Sequence, residues 1–139
     1  NLLARGEFAQ SELHLRNVVA QQPGHAASLN NLAWVLVAQG KPGATGFALR
    51  AVDAAPDRPK LLDTLALALA ADKKFDQALT TQRRAIELAP EDNALHFNLA
   101  KIALDAGDKA LAKQELTRLR ELGAKFSLQA EVDKLMKTL

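Results

Sequence analysis

The chain has 139 residues, 48% of them hydrophobic but only 4% aromatic, and 18 Lys and Arg against 16 Asp and Glu leave a net charge of +2. That is one domain's worth of core, filled by Ala and Leu with few rings, which favours closely packed helices over a strand sandwich. Nearly balanced charge gives no ground for a nucleic-acid partner, the absence of Cys removes disulfides and thiolate metal sites, and no apolar run reaches the roughly 18 residues of a membrane-inserting span.

The chain opens on "NLLARGEF", with no Met, basic leader or cleavage site, and so reads as a piece of a longer protein. "RGEFAQSELHLRNVVAQQP" predicts a turn at Gly6 and a helix stopped by Pro23. "VVAQQPGH", "AVDAAPDR" and "AIELAPED" each end a helical pattern on a proline, and Pro23, Pro56 and Pro90 stand 33 and 34 residues apart. A second series keeps step with the first: Gly6, Gly40, Lys73 and Gly107 are separated by 34, 33 and 34 residues. Between the two series lie helical stripes such as "FDQALTTQRRAIELA", and before Lys73 lies another, "LLDTLALALAA". Each unit is therefore two helices joined by a tight turn, the second stopped by proline. "LRELGAKFS" ends the last pair at Gly123 without a proline. The tail "SLQAEVDKLMKTL" predicts an amphipathic helix with Leu128, Val132, Leu135, Met136 and Leu139 on one face and Ser127 as its N-cap; it would cover the last repeat and mark a natural C-terminus.

These residues resemble the tetratricopeptide repeat, whose consensus places small residues where helices touch and a proline after the second helix. Leu65, Ala66, Phe75, Ala78, Ala85 and Pro90 carry the match in one unit, Leu99, Ala100, Gly107, Ala112 and Leu119 in the next, and Leu32, Ala33, Gly40, Ala44, Ala51 and Pro56 in the one before. The resemblance implies an all-α solenoid of antiparallel helix pairs: a partial repeat over 1–25, repeats over 26–58, 59–92 and 93–125, and a capping helix over 126–139. The small residues have a mechanical role, because only Ala or Gly there lets helices approach at the short end of the interaxial range. More narrowly, "NNLAW" and "LLDTL" are similar to strings near the C-terminal end of tetratricopeptide lipoproteins that accompany exopolysaccharide and PEP-CTERM systems of Gram-negative bacteria, which implies a periplasmic or envelope setting, the cytoplasm being the alternative.

Enzyme signatures are absent: there is no phosphate-binding glycine loop, no G-x-S-x-G and no H-E-x-x-H, so neither catalytic residues nor a cofactor are expected. His14, His25 and His96 fall in different units and read as surface or groove histidines, not as metal ligands, and the acids of "SEL", "PED" and "QAEVD" read as solvated charges. The concave wall is what the family's fold offers. Its ligand-contact positions map to Asn30, Trp34 and Val37, to Lys60, Asp63 and Leu67, and to Phe97, Lys101 and Asp105. Trp34, Leu67 and Phe97 would form an apolar track, with the polar residues reading a bound protein or peptide. Asn31, Thr64 and Asn98 recur at a position that suits hydrogen bonds between repeats. The family's best-known clamp grips a terminal carboxylate with a Lys and Asn pair, which Asn30 with Trp34 and Asp63 with Leu67 do not reproduce. The expected function is protein docking without catalysis, the alternative being self-association, with the groove filled by upstream repeats or a second copy in a homodimer.

Overall fold

The computed structural model describes residues 2–139; Asn1, at the head of the 1–25 unit, lies outside the described residues. Among the described residues are eight α-helices and no strand: α1 (Leu2–Gln21), α2 (Ala26–Ala38), α3 (Ala44–Ala54), α4 (Pro59–Ala71), α5 (Phe75–Leu88), α6 (Asn93–Ala106), α7 (Lys109–Glu121) and α8 (Gln129–Met136), with a 3-10 turn over Gly123–Lys125. Each helix packs on the next, and α4 also packs on α2 and on α6. Those three form one wall of an α-solenoid, and α3, α5 and α7 lie behind it.

Local chemistry sets the pairs. The turns after α2, α4 and α6 are built alike: Lys41, Lys74 and Asp108 each donate their N–H over 2.9 Å to the carbonyl five residues back, on Leu36, Leu69 and Ala103. This closure needs a left-handed residue just before the donor. Gly40 and Gly107 supply it at φ 69° and 85°; Lys73 takes the same conformation at φ 62°, at a cost of about 1–2 kcal/mol for a residue with a Cβ. At the other end of each pair, α1, α3 and α5 stop two residues before Pro23, Pro56 and Pro90. New first helices start on His25, whose Nδ1 accepts the Ser28 N–H, on Pro59 at N1, and on Asp92, whose Oδ1 accepts the Ala94 N–H.

The core is built from Ala and Leu. Leu29, Leu32, Leu36, Ala48, Ala66 and Ala78 belong to its largest cluster; Leu62, Ala85 and Leu95 form a second where α5 meets α4 and α6; and Phe97, Leu116, Leu119, Phe126 and Val132 form a third under the tail.

Several expectations need correction. Gly6 makes no turn and lies inside the continuous helix α1. Ser127 does not cap α8: the N-cap is Leu128, without a side-chain bond, and the helix ends at Met136, so Leu139 stands exposed beyond the buried face. Gln129 instead turns back, its Nε2 donating to the carbonyls of Leu119 (2.7 Å) and Gly123 (2.9 Å) at the C-terminus of α7. Glu12 is no free surface acid. It accepts from Lys41 Nζ (2.9 Å), Arg16 Nε (2.8 Å) and Gln39 Nε2 (3.0 Å), tying α1 to the turn after α2. Those donors, Lys41 foremost, hold its carboxyl down from the ordinary 4.5 to about 2. A depressed folded value stabilises fully above pH 4.5 and is lost as pH falls toward 2. Glu12→Gln should therefore lower the urea midpoint at pH 7 but leave it level with the native chain near pH 2. A midpoint gap of equal size at both pH values would overturn the ion-pair assignment.

Candidate docking groove

The wall of α2, α4 and α6 carries the nine residues expected at the groove, and the fold sorts them into three kinds. Trp34 is the most open of the large hydrophobics among them: it is 46% exposed and among the described residues meets one ring, edge-on, that of Phe8 at 5.9 Å between centroids. Lys60, Lys101 and Asp105 are exposed, and Asn30, Val37, Asp63 and Leu67 are half-buried. Val37 and Leu67 pack on the main core, which takes most of their apolar surface.

Phe97 departs from the expected track. It is 7% exposed, its ring 6.1 Å from that of Phe126, which arrives on the segment leading into α8. Lys101 Nζ lies 5.8 Å above the Phe97 ring centroid. The apolar track is therefore closed at the α6 end by the tail, and the open wall runs over α2 and α4.

Three adjoining clefts follow that open wall. One of about 310 Å³ lies between α1 and α2, lined by His14, Leu15, Asn31 and Trp34. The next, about 340 Å³, shares Asn31 and Trp34 with it and adds Asn30, Lys60, Asp63 and Asp92. The last, about 520 Å³, shares Asn30, Asn31, Lys60 and Asp92 and continues to Asp57 and Arg58. Shared lining residues make them one trough, from α1 across the crease of α2 and α4 to the turn before α6.

Asp63 sits in the wall of the trough as part of a lock between repeats. Gln82 Nε2 of α5 donates to its Oδ1 (2.7 Å), and Asn98 Nδ2 of α6 donates to Oδ1 (3.0 Å) and Oδ2 (3.1 Å). Burial pushes the carboxyl above its ordinary 3.8, the amides of Asn98 and Gln82 pull it back, and Asp92 raises it further. The native state thus binds this proton more tightly than the unfolded chain, and this group's contribution to stability falls as pH rises from 3.8 through the folded value. Asn98 makes the inter-repeat bond expected of its position, whereas Thr64 Oγ1 donates to Lys60 O of its own helix and Asn31 is exposed on the trough.

The histidines stand apart. His25 caps α2 and His14 lines the first cleft, but His96 is buried, contrary to a surface or groove position: its Nε2 donates to Pro90 O (3.0 Å) and its Nδ1 lies 3.2 Å from Glu115 Oε2. Among the described residues no three His, Cys, Asp or Glu side chains gather as a metal site, and no helix is long and apolar enough to cross a membrane.

A stacked set of helix pairs with an open trough on the first-helix wall defines a helical-repeat protein that presents a groove. The sequence pattern of the tetratricopeptide repeat matches residues 1–59 and 64–125, and the chain belongs to that family. A MamA fragment (41-end) of Desulfovibrio magneticus RS-1 has the same fold, with a TM-score of 0.73 over 91% of this chain and 72% of that one at 23% identity. A second MamA crystal structure aligns over 96% of this chain and 87% of that one with a TM-score of 0.72 and 17% identity. The uncharacterised protein y4yS of Sinorhizobium fredii is 36% identical over 102 residues, 70% of this chain; the chain spans about half (54%) of that relative's length.

Proposed function

We propose that the chain is a non-enzymatic docking module that holds a segment of a partner protein in the trough along α2 and α4. The observation that carries this is Trp34, a large aromatic left 46% exposed at the point where two clefts meet, while Phe97 on the same wall is buried and Val37 and Leu67 are half-buried. Aromatic side chains bury much area for little lost rotamer freedom and dominate interface energies. The strings "NNLAW" and "LLDTL" extend the reading to a scaffold in an envelope or exopolysaccharide export assembly, which fractionation of cells producing the full-length protein tests by its recovery with envelope or cytosol.

The binding test needs no known partner. Peptides selected from a random twelve-residue display library on the whole chain should bind Trp34→Ala more weakly by about 2 kcal/mol, near thirtyfold. Arg83→Glu, on the exposed surface of α5, should change affinity less than twofold. If Arg83→Glu abolishes binding and Trp34→Ala does not, the contact lies on the outer helices and the groove reading falls. Formation of dimers that Trp34→Ala dissolves would instead assign the trough to a second copy.

A further inference from the structure

The trough has a chemical bias that its overall shape does not reveal. Among the described residues Asp63 accepts from neutral amides alone, those of Gln82 and Asn98, and Asp92 accepts the Ala94 backbone N–H alone, at 3.1 Å. Among the described residues neither carboxylate has a cation within ion-pair distance, whereas Asp57, at the far end, is met by Arg84 at 3.5 Å. Directly behind Asp63, the fully buried Gln82 commits its Nε2 to Asp63 and to Leu95 O (2.9 Å) and leaves Oε1 without a donor. Asn30, beside Asp63 and Asp92 in the same cleft, turns its Oδ1 inward where no donor meets it. Swinging that oxygen out into the cleft therefore breaks no hydrogen bond.

Among the described residues, the cations nearby form no ion pair with these acceptors, and Lys101 acts on Asp63 only through space. Lys60 and Arg58 are exposed on the trough and Lys101 lies over the Phe97 ring; none of the three is bonded to Asp63 or Asp92. A ligand carboxylate entering beside Trp34 would meet Asp63 and Asp92, with the solvent-exposed Lys60 as the cation lining that cleft. An apolar side chain would strip water from Asp63 and offer nothing in its place. A flat cation with several donors fits: a guanidinium stacks on an indole and presents N–H groups in a fork.

We infer that the trough takes an arginine side chain of the partner segment, its guanidinium lying against the Trp34 indole and donating to Asp63 and to Asn30 Oδ1, with Asp92 adding attraction from the turn. This rests on the docking reading and names the chemistry of its occupant. Lysine, a compact point charge without a planar face, would be a poorer fit at the same place.

The twelve-residue display library again serves as the probe, now read for composition. Among peptides whose binding depends on Trp34, arginine should be enriched at one position, and replacing it by glutamine in the synthetic peptide should weaken binding about tenfold. On Asp63→Asn that difference should shrink to less than threefold. Because Asp63→Asn disturbs the lock with Gln82 and Asn98, Asp92→Asn provides an independent arm: an asparagine keeps the cap on α6, and the arginine advantage should still fall, as it should in the native chain when salt is raised from about 50 to 500 mM. Peptides that depend on Trp34 but show no arginine preference, equal use of lysine, or enrichment in Asp and Glu would overturn the inference and leave the docking reading standing. A library yielding no binder that depends on Trp34 would overturn both.

Discussion

Removal of residues 127–139 is expected to destabilise the chain by at least about 3 kcal/mol and to leave it prone to self-association. Val132 is fully buried, and Leu128, Leu135 and Met136 pack around it against Phe97, Phe126, Leu116 and Leu119. Fully burying one such side chain contributes roughly 1.5–3 kcal/mol, and the truncation loses one full and three partial burials together. It also removes the Gln129 amide that satisfies the Leu119 and Gly123 carbonyls, leaving acceptors at the end of α7 to water. Since folded domains are stable by only about 5–15 kcal/mol, a loss of this size is visible in any thermal or denaturant melt. An unchanged melting temperature in a truncated chain that remains monomeric would defeat the capping role of α8.

The second large effect concerns alanines. Ala78 and Ala85 have no exposed surface, Ala78 in the main core and Ala85 between Leu62 and Leu95, while Ala71 is exposed at the end of α4. Three added carbons at either buried position must push helices apart or force side chains off their rotamers, which costs about 1–3 kcal/mol each. Ala78→Leu and Ala85→Leu should thus lower urea midpoints clearly, and Ala71→Leu should not. Equal tolerance of all three would mean that the helix pairs do not meet where these alanines lie.

Why the alanines could be chosen from sequence, and Phe97 could not be placed, is a matter of range. Proline stops, the glycine or left-handed turns at Gly40, Lys73 and Gly107, and the small residues between helices are local or nearly local devices repeated along the chain, so spacing alone exposes them. Gly6 has the right spacing yet no turn: the backbone there stays helical and the segment is part of α1. Phe97 sits where the inner wall should be open, but Phe126 reaches it from the tail, a contact that no periodicity encodes. The role of Glu12 was hidden for the same reason: its partners Gln39 and Lys41 lie in the next turn of the solenoid. Asp63 was legible as an inner-wall polar residue, but its lock to Gln82 and Asn98 depends on three helices converging.

The docking proposal places the partner on the first-helix wall and not on the outer helices. Amide shift mapping by NMR on the whole labelled chain, titrated with one library-selected peptide, tests it most directly, because the single tryptophan also gives one indole N–H signal. The Trp34 indole signal and the amides around Asn30, Lys60 and Asp63 are expected to move together, with α3, α5 and α7 nearly still. Shifts concentrated on α3, α5 and α7, with Trp34 unmoved by saturating peptide, would contradict it.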